Sequence, residues 1–393
     1  MCGAELRFYH EGPPVVCTNP STGPARPAPA AGRTAGAVRR CPSGRGPCPE
    51  AQRGPGRPRR AAPGPTAPCP DATRRRLGSG EHRPGRGRTH VGSWERALDA
   101  AGIDDPGLRD DYSRQRRQVT RYKREAVLAA GLLLPARLVP HVIAATAFMH
   151  RTDSLLDSGP LDERRAAYAR WERETADGLA TGGTANPELR PLLNTVAAHP
   201  ALRDRASEHL AGATADLDFA GFAAEADYQH YVDGYSLPAF MVVATLLGPE
   251  GDQTAYRAAC RTFIDASQRL DFVSDLAEDL ADGRLTIPAQ DLDRYGVTRA
   301  DLEQARNLPA VRAMVTDRLD QVDRTLAEGR AVIDLVPAAH RPMVRCMIGL
   351  DELTSAAARA DIPALLRRSA GPAKPAALRL LGREYLRARR LNR

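Results

Sequence analysis

The chain has 393 residues, a formal net charge of +8 at pH 7 and 42% hydrophobic residues, enough for one large or two ordinary domains with a substantial core. It contains no run of about 18 uninterrupted apolar residues that could span a bilayer, and its first residues lack the apolar stretch of a secretory signal. These features argue against membrane-spanning and secreted classes, and the expectation is a cytoplasmic, reduced protein.

From Met1 to about Arg88, Pro, Gly, Ala and Arg dominate, as in the run Gly54 to Arg60, and no apolar periodicity is present. Residues 1–90 are therefore expected to form a disordered basic arm, with Val91 as an alternative start for the folded part. The arm carries much of the positive charge, so the net charge predicts no specific nucleic-acid partner. Five of the seven cysteines (Cys2, Cys17, Cys41, Cys48 and Cys69) fall in it, at spacings that match neither a zinc site nor a compact disulfide framework. Cys260 and Cys346 read as small core residues.

From Trp94 onward the pattern is helical, rich in Ala, Leu, Arg and Glu, so the fold class is all-α. Tyr112 to Leu134 predicts one basic, then apolar, helix that stops at Pro135, and Arg137 to Ser158 predicts a second, broken at Gly159-Pro160. Asp162 to Ala180 and Leu189 to Gly212 read as two more. The segment Asp227 to Tyr235 leads into apolar Leu237 to Leu247. One long helix is predicted from about Gln253 to Asp282, with a C-cap at Gly283 and Pro288 beyond. Asp301 to Arg367 predicts helices broken at Pro309, Pro337 and Pro363. The helical domain is thus expected over 91–367, followed by a basic tail, 368–393. Its helix from Pro375 suits a membrane surface or the rim of an acidic cleft, although a solvated helix is the commoner outcome.

Two of these segments carry the chemistry. Asp153-Ser-Leu-Leu-Asp157 and Asp271-Phe-Val-Ser-Asp275-Leu-Ala-Glu278-Asp279 set acids four apart, about 6 Å along a helix axis, with apolar residues between them and no Lys or Arg inside either run. Like charges at that spacing cost a helix a few tenths of a kcal/mol per pair, and acids near a helix C-terminus oppose its dipole. A solvated acidic face would mix signs. Carboxylates on helices that face a core need partners, and Mg²⁺, held by one or two carboxylates together with substrate phosphate oxygens, supplies them.

With these motifs in place, Tyr112 to Ala360 resembles the squalene/phytoene synthase family. The resemblance is carried by Asp153 to Asp157, by Tyr231-Val-Asp-Gly-Tyr235, and by Gln268 to Asp279 followed by Gly283-Arg284 and Pro288. It implies a single-domain isoprenoid-synthase-type helical bundle around a central cavity, in which two acidic motifs face each other and bind Mg²⁺ with a prenyl diphosphate. Asp153, Asp157, Asp275 and Asp279 are then the expected metal ligands, with Glu278 as a further candidate. Asp271 and Asp233 are catalytic candidates, and Arg151, Arg284, Arg121 and Tyr231 are candidates for substrate contact.

The chain departs from the family where an Asn-x-x-Arg-Asp pattern is usual: Asp271 and Ser274 stand for Asn and Arg. Asp233 stands where a small residue is usual. A site made more acidic in this way suits transfer of a prenyl group to a carbon acceptor, such as an aromatic carbazole in a bacterial natural-product pathway, since some enzymes similar to this family prenylate such rings. The alternative is head-to-head condensation of two prenyl diphosphates. A non-catalytic prenyl-diphosphate-binding protein, which should have lost an acidic motif, and a terpene cyclase are more remote. A monomer is expected, with no nicotinamide fingerprint, no transmembrane segment and at most peripheral membrane contact.

Overall fold

A computed structural model describes Ser93 to Leu391 apart from Ser158 and Asp218; the predicted basic arm lies outside the described residues. The chain forms α1 (Ser93–Ala100), α2 (Pro106–Tyr122), α3 (Arg124–Leu133), α4 (Val139–Asp157), α5 (Leu161–Thr181), α6 (Arg190–Ala198), α7 (Leu202–Ala213) and α8 (Glu225–Tyr231). A π-turn, Val232–Ser236, joins α8 to α9 (Leu237–Leu247). Then follow α10 (Thr254–Ser274), α11 (Leu276–Ala281), α12 (Ala289–Tyr295), α13 (Arg299–Glu303), α14 (Pro309–Gly329), α15 (Val332–Leu335), α16 (Arg341–Ala360), α17 (Ile362–Leu365) and α18 (Lys374–Leu391). Extended pairing among the described residues is limited to a bridge between Gly221 and Leu285, so the fold is all-α.

Local chemistry explains where elements start and stop. The carboxylate of Asp105 accepts the Leu108 N–H at 2.7 Å, and Pro106 opens α2 with its φ already set. Gly283 adopts φ +80° after α11, and the Arg284 N–H returns to the Asp279 carbonyl at 2.8 Å, the C-cap expected there. Apart from Thr245, whose hydroxyl donates to Gln253 at 2.7 Å, α9 is apolar, and it is buried along nearly its whole length, as an all-round hydrophobic helix must be. Cys260 and Cys346 are buried free thiols, each pushed up to about 12 by burial.

Three predicted helices are broken. The first splits at Lys123, which takes φ −138° between α2 and α3. Leu189 to Gly212 splits around His199-Pro200, because proline disfavours helix at the residue before it. The long acidic helix ends at Ser274, and Asp275 joins it to α11. Here the cause is competition for carbonyls. Phe272 C=O accepts from the Thr286 hydroxyl at 3.5 Å, and Ser274 C=O accepts the Ala370 N–H at 3.0 Å. The Glu278 N–H instead bonds the Asp275 carbonyl, three residues back, at 2.9 Å, and the ladder kinks.

The back of α10 is held by charge. Arg269, 3% exposed, bonds Glu225 at 2.6 Å and Asp265 at 3.1 Å, with its guanidinium 4.1 Å above the Tyr228 ring. Arg318 on α14 reaches the same Glu225 at 3.2 Å and Asp291 at 2.9 Å. Burial raises the Glu225 pKa, but the bonds from Arg269 and Gln229 outweigh it and hold the carboxyl below its usual range. Removing one partner of such a network leaves a buried charge unpaired, at a cost of about 3 kcal/mol or more.

Candidate active site

The π-turn ties together the helices that carry the two acidic motifs. Tyr235 points its hydroxyl to Asp153 Oδ1 at 3.5 Å, and the next residue, Ser236, donates to Gln268 Oε1 at 2.9 Å. Gln268 lies one turn before Asp271 on α10, so consecutive residues of one turn touch the first motif on α4 and the opening of the second on α10. A regular α-helix turns 100° per residue; the wider π-turn re-aims these two side chains. The Tyr231 ring is tilted against Tyr235 at 4.9 Å and meets Phe219, Phe222 and Phe272 at 5.2, 5.5 and 5.9 Å, forming an aromatic wall.

Below this polar end lies an apolar cavity of about 730 Å³, including its open mouth, walled by α2, α3, α4, α9 and α16. On α4 its lining residues are Val142, Ile143, Thr146 and Met149, and Asp153 follows Met149 by four residues on the same face. The cavity thus runs from about 6 Å to about 16 Å below Asp153 along the α4 axis. Phe240, Val243 and Leu247 of α9 face it, as do Met343 and Met347 of α16. Lys123, at the kink between α2 and α3, is its charged lining residue, and the Thr146 hydroxyl is turned back to the Val142 carbonyl.

The predicted site residues fall into two groups. Asp153, Asp275 and Asp279 are buried, at 5–6% exposure, with Asp279 accepting from Arg284 at 3.2 Å. Asp271 lies one turn before Asp275 on α10, partly buried, and Tyr231 is in the aromatic wall. Asp157, the last residue of α4, is exposed. The others are directed elsewhere. Glu278 is exposed and accepts from Ser369, because the kink at Asp275 turns it outward. Asp233 is exposed and paired with Arg261 at 2.9 Å, on the side of α10 that carries Asp265 and Arg269. Arg151 bonds Glu188 at 3.0 Å and lies over Trp171, and Arg121 is exposed at the end of α2. Among the described residues no three His, Cys, Asp or Glu side chains gather as a ready-made metal cage.

Asp351 is the acid that motif spacing missed. It continues the α16 face of Met343 and Met347 at intervals of four, and the Ser267 side chain hydrogen-bonds it. Burial, with lesser contributions from the charges of Asp271 and Glu352, pushes its carboxyl up to about 7, against the Ser267 bond. Its Oδ2 is out of solvent and has no partner in the protein, and the same holds for Gln268 Nε2 and Ser274 Oγ on α10. The one sequence signal was a carboxylate closing an apolar column.

Residues 119–372 match the family described as squalene/phytoene synthase. The chain belongs to the squalene/phytoene synthase family. Members of the squalene/phytoene synthase family are enzymes that transfer prenyl groups. A curated relative, the bifunctional protein CrtB/UppS of Streptomyces coelicolor, is 29% identical over 248 residues, which is 63% of this chain and 43% of that protein. The chain therefore spans less than half the length of that relative. Among solved structures, a dehydrosqualene synthase in complex with ligand superposes with TM-score 0.64 at 19% identity, covering 72% of this chain and 98% of that one. Squalene synthase HpnC from Alicyclobacillus acidocaldarius gives 0.60 at 24% identity, covering 67% and 98%. At these identities the structures establish the isoprenoid-synthase fold that the motifs implied.

Proposed function

We propose that this family member ionises an allylic prenyl diphosphate with Mg²⁺ and transfers the prenyl group to a carbon acceptor, such as the aromatic ring of a carbazole. The observation that carries the reading is the buried Asp153 one turn above a long apolar cavity, with Tyr235 and Ser236 tying its helix to the one that carries the second acidic motif: one end suits a metal-bound diphosphate, the other its hydrocarbon tail. The donors fit Mg²⁺, being carboxylate oxygens, and the buried Ser274 Oγ and Gln268 Nε2 beside them lack protein partners. Asp153, Asp157, Asp275 and Asp279 would hold the metal, which when bound neutralises charge on the departing pyrophosphate. Arg284, already beside Asp279, is suited to the same anion. The tail is desolvated among Val142, Ile143, Phe240 and Met347.

Transfer to an acceptor is favoured over head-to-head coupling by Asp271, which adds negative charge where the family usually has Asn, and by the loss of the usual Arg at Ser274. The test is product analysis by mass spectrometry with Mg²⁺ and C5 to C20 allylic diphosphates, alone and with aromatic acceptors. A prenylated acceptor without C30 or C40 hydrocarbon supports the reading; the hydrocarbon from one diphosphate alone refutes it. In the double variant Asp271→Asn, Ser274→Arg, head-to-head product should appear or rise.

Among the described residues no helix is long and apolar enough to cross a membrane. Our reading is a monomeric cytoplasmic protein that touches membranes through α18, where Leu378 (66% exposed) and Leu386 (58%) share a face with Arg389. Co-sedimentation with anionic vesicles, abolished by Leu378→Ser and Leu386→Ser, tests that contact.

A further inference from the structure

Prenylation of an aromatic carbon leaves the ring with one proton too many, and the carboxylates above the cavity are suited to metal. The protein still needs a group that can take that proton on the hydrocarbon side of the diphosphate. We propose that Asp351 is this proton acceptor, held by Ser267 at the junction of the acidic motif and the apolar cavity. The inference rests on the acceptor-prenylating reading above.

Its position carries the argument. Met343, Met347 and Asp351 follow one another at intervals of four on α16, and the first two line the cavity. Asp351 therefore stands about 6 Å along the axis beyond Met347, toward α10, where Ser267 bonds it and Asp271 lies within electrostatic reach. Of the two acids that the sequence nominates for this task, Asp233 and Asp271, Asp233 is paired with Arg261 on the other side of α10. Asp351 has no such ion pair, and its Oδ2 is withdrawn from solvent without a partner. A buried carboxylate oxygen that the protein leaves unsatisfied is costly unless a ligand meets it. Gln268, the residue after Ser267 on α10 and fully buried, also leaves its amide Nε2 unpaired. The elevated proton affinity of Asp351, close to neutrality, suits a base that must accept a proton and release it each turnover.

The step balances without a further reagent. The C1–O bond breaks and its electron pair leaves with pyrophosphate; a π pair of the acceptor forms the new carbon–carbon bond; the C–H pair returns to the ring as the proton passes to Asp351 Oδ2. A phenol or heteroaromatic N–H acceptor could donate to the same oxygen while it is positioned.

The experiment measures pyrophosphate release and acceptor prenylation separately, with Mg²⁺, the allylic diphosphate that wild type turns over best, and the aromatic panel. In Asp351→Asn, pyrophosphate release should stay within about 3-fold of wild type while prenylated acceptor falls by about 100-fold or more, with prenyl alcohol in its place. Transfer at the wild-type level would overturn the assignment, and so would a parallel loss of both signals in a variant with an intact thermal transition. If the Asn variant does not fold, Ser267→Ala serves instead. It should lower transfer about 10-fold at unchanged pyrophosphate release, and an unaltered ratio of the two would refute the proposal. Wild type that releases no pyrophosphate from any allylic diphosphate would sink the prenyl-transfer reading itself, and this one with it.

Discussion

Gly212 on α7 is a residue through which the fold reaches the candidate active site. A Cβ placed there would lie 2.0 Å from the carbonyl oxygen of Gly234 and 3.7 Å from the Tyr235 Cα, both in the π-turn. Relieving that overlap to an ordinary contact requires α7 and the turn to part by about 1.4 Å, and neither partner is a flexible side chain that could swing away. Overpacking of this kind costs about 3 kcal/mol, offset by about 1 kcal/mol because alanine is the better helix former. Gly212→Ala should therefore lose about 2 kcal/mol, a fall in Tm of roughly 4–8 °C. The displaced turn carries the contacts of Tyr235 to Asp153 and of Ser236 to Gln268, and a 1 Å misplacement near reacting groups typically costs about 100-fold in rate. Calorimetry and pyrophosphate release measure the two effects. Gly234→Ala is the control, since nothing lies within 4 Å of a Cβ at that position. A Gly212→Ala protein with unchanged or higher Tm and full turnover would refute the idea that close approach of α7 sets the turn.

Other outcomes follow from the same geometry. Asp275→Asn removes a buried candidate ligand and should lower pyrophosphate release by about 1,000-fold with Tm unchanged or raised, checked by a coupled phosphate assay and a melting curve; activity within 10-fold of wild type would remove Asp275 from the metal set. Val142→Phe fills the cavity end farthest from Asp153 and should raise KM for the C20 diphosphate by about 10-fold more than for C10, measured in side-by-side kinetics. His209 is fully buried, its ring nitrogens lack partners, and burial lowers its pKa from 6.5 to about 4. Because the unfolded chain then binds the extra proton between those values, stability is whole above about pH 6.5 and declines as pH falls toward 4, by about 2 kcal/mol at pH 5 from this residue. Urea unfolding at pH 8 and pH 5 should show His209→Leu with a smaller acid loss than wild type, and equal losses would count against this origin.

The sequence carried the parts of this protein that depend on local pattern. Apolar periodicity and acid spacing were enough for α4, for α10 up to Ser274 and for the C-cap at Gly283, because each is decided within a few turns of chain. The kink at Asp275 was not legible: the groups that intercept its carbonyls, the Thr286 hydroxyl and the Ala370 N–H, come from distant parts of the chain. Nor was the break at Lys123, which has no proline or glycine to announce it; the residue leaves the helix where its side chain meets the cavity. At His199-Pro200 apolar periodicity and the proline point opposite ways, and the proline wins. Asp233 reads as a site residue because it stands where the family usually has a small one, but Arg261 pairs with it on the other side of α10. Asp351 had the opposite fate, since a lone acid after Leu350 belongs to no motif and gains meaning only from what faces it.

The charge network behind α10 gives that helix the mechanics of a clamped beam. Arg269 is fastened to three helices, through Glu225 on α8, Asp265 on α10 itself and, by way of Glu225, Arg318 on α14. Asp275 lies six residues past this clamp and just beyond the interrupted hydrogen-bond ladder. The fixed portion resists repulsion among the acids, while Asp275 and Asp279 lie past the kink, outside the clamp. On the proposed reading, a metal–diphosphate complex would meet carboxylates mounted past this clamp, so that adjusting them would leave the core on which the clamp is built undisturbed.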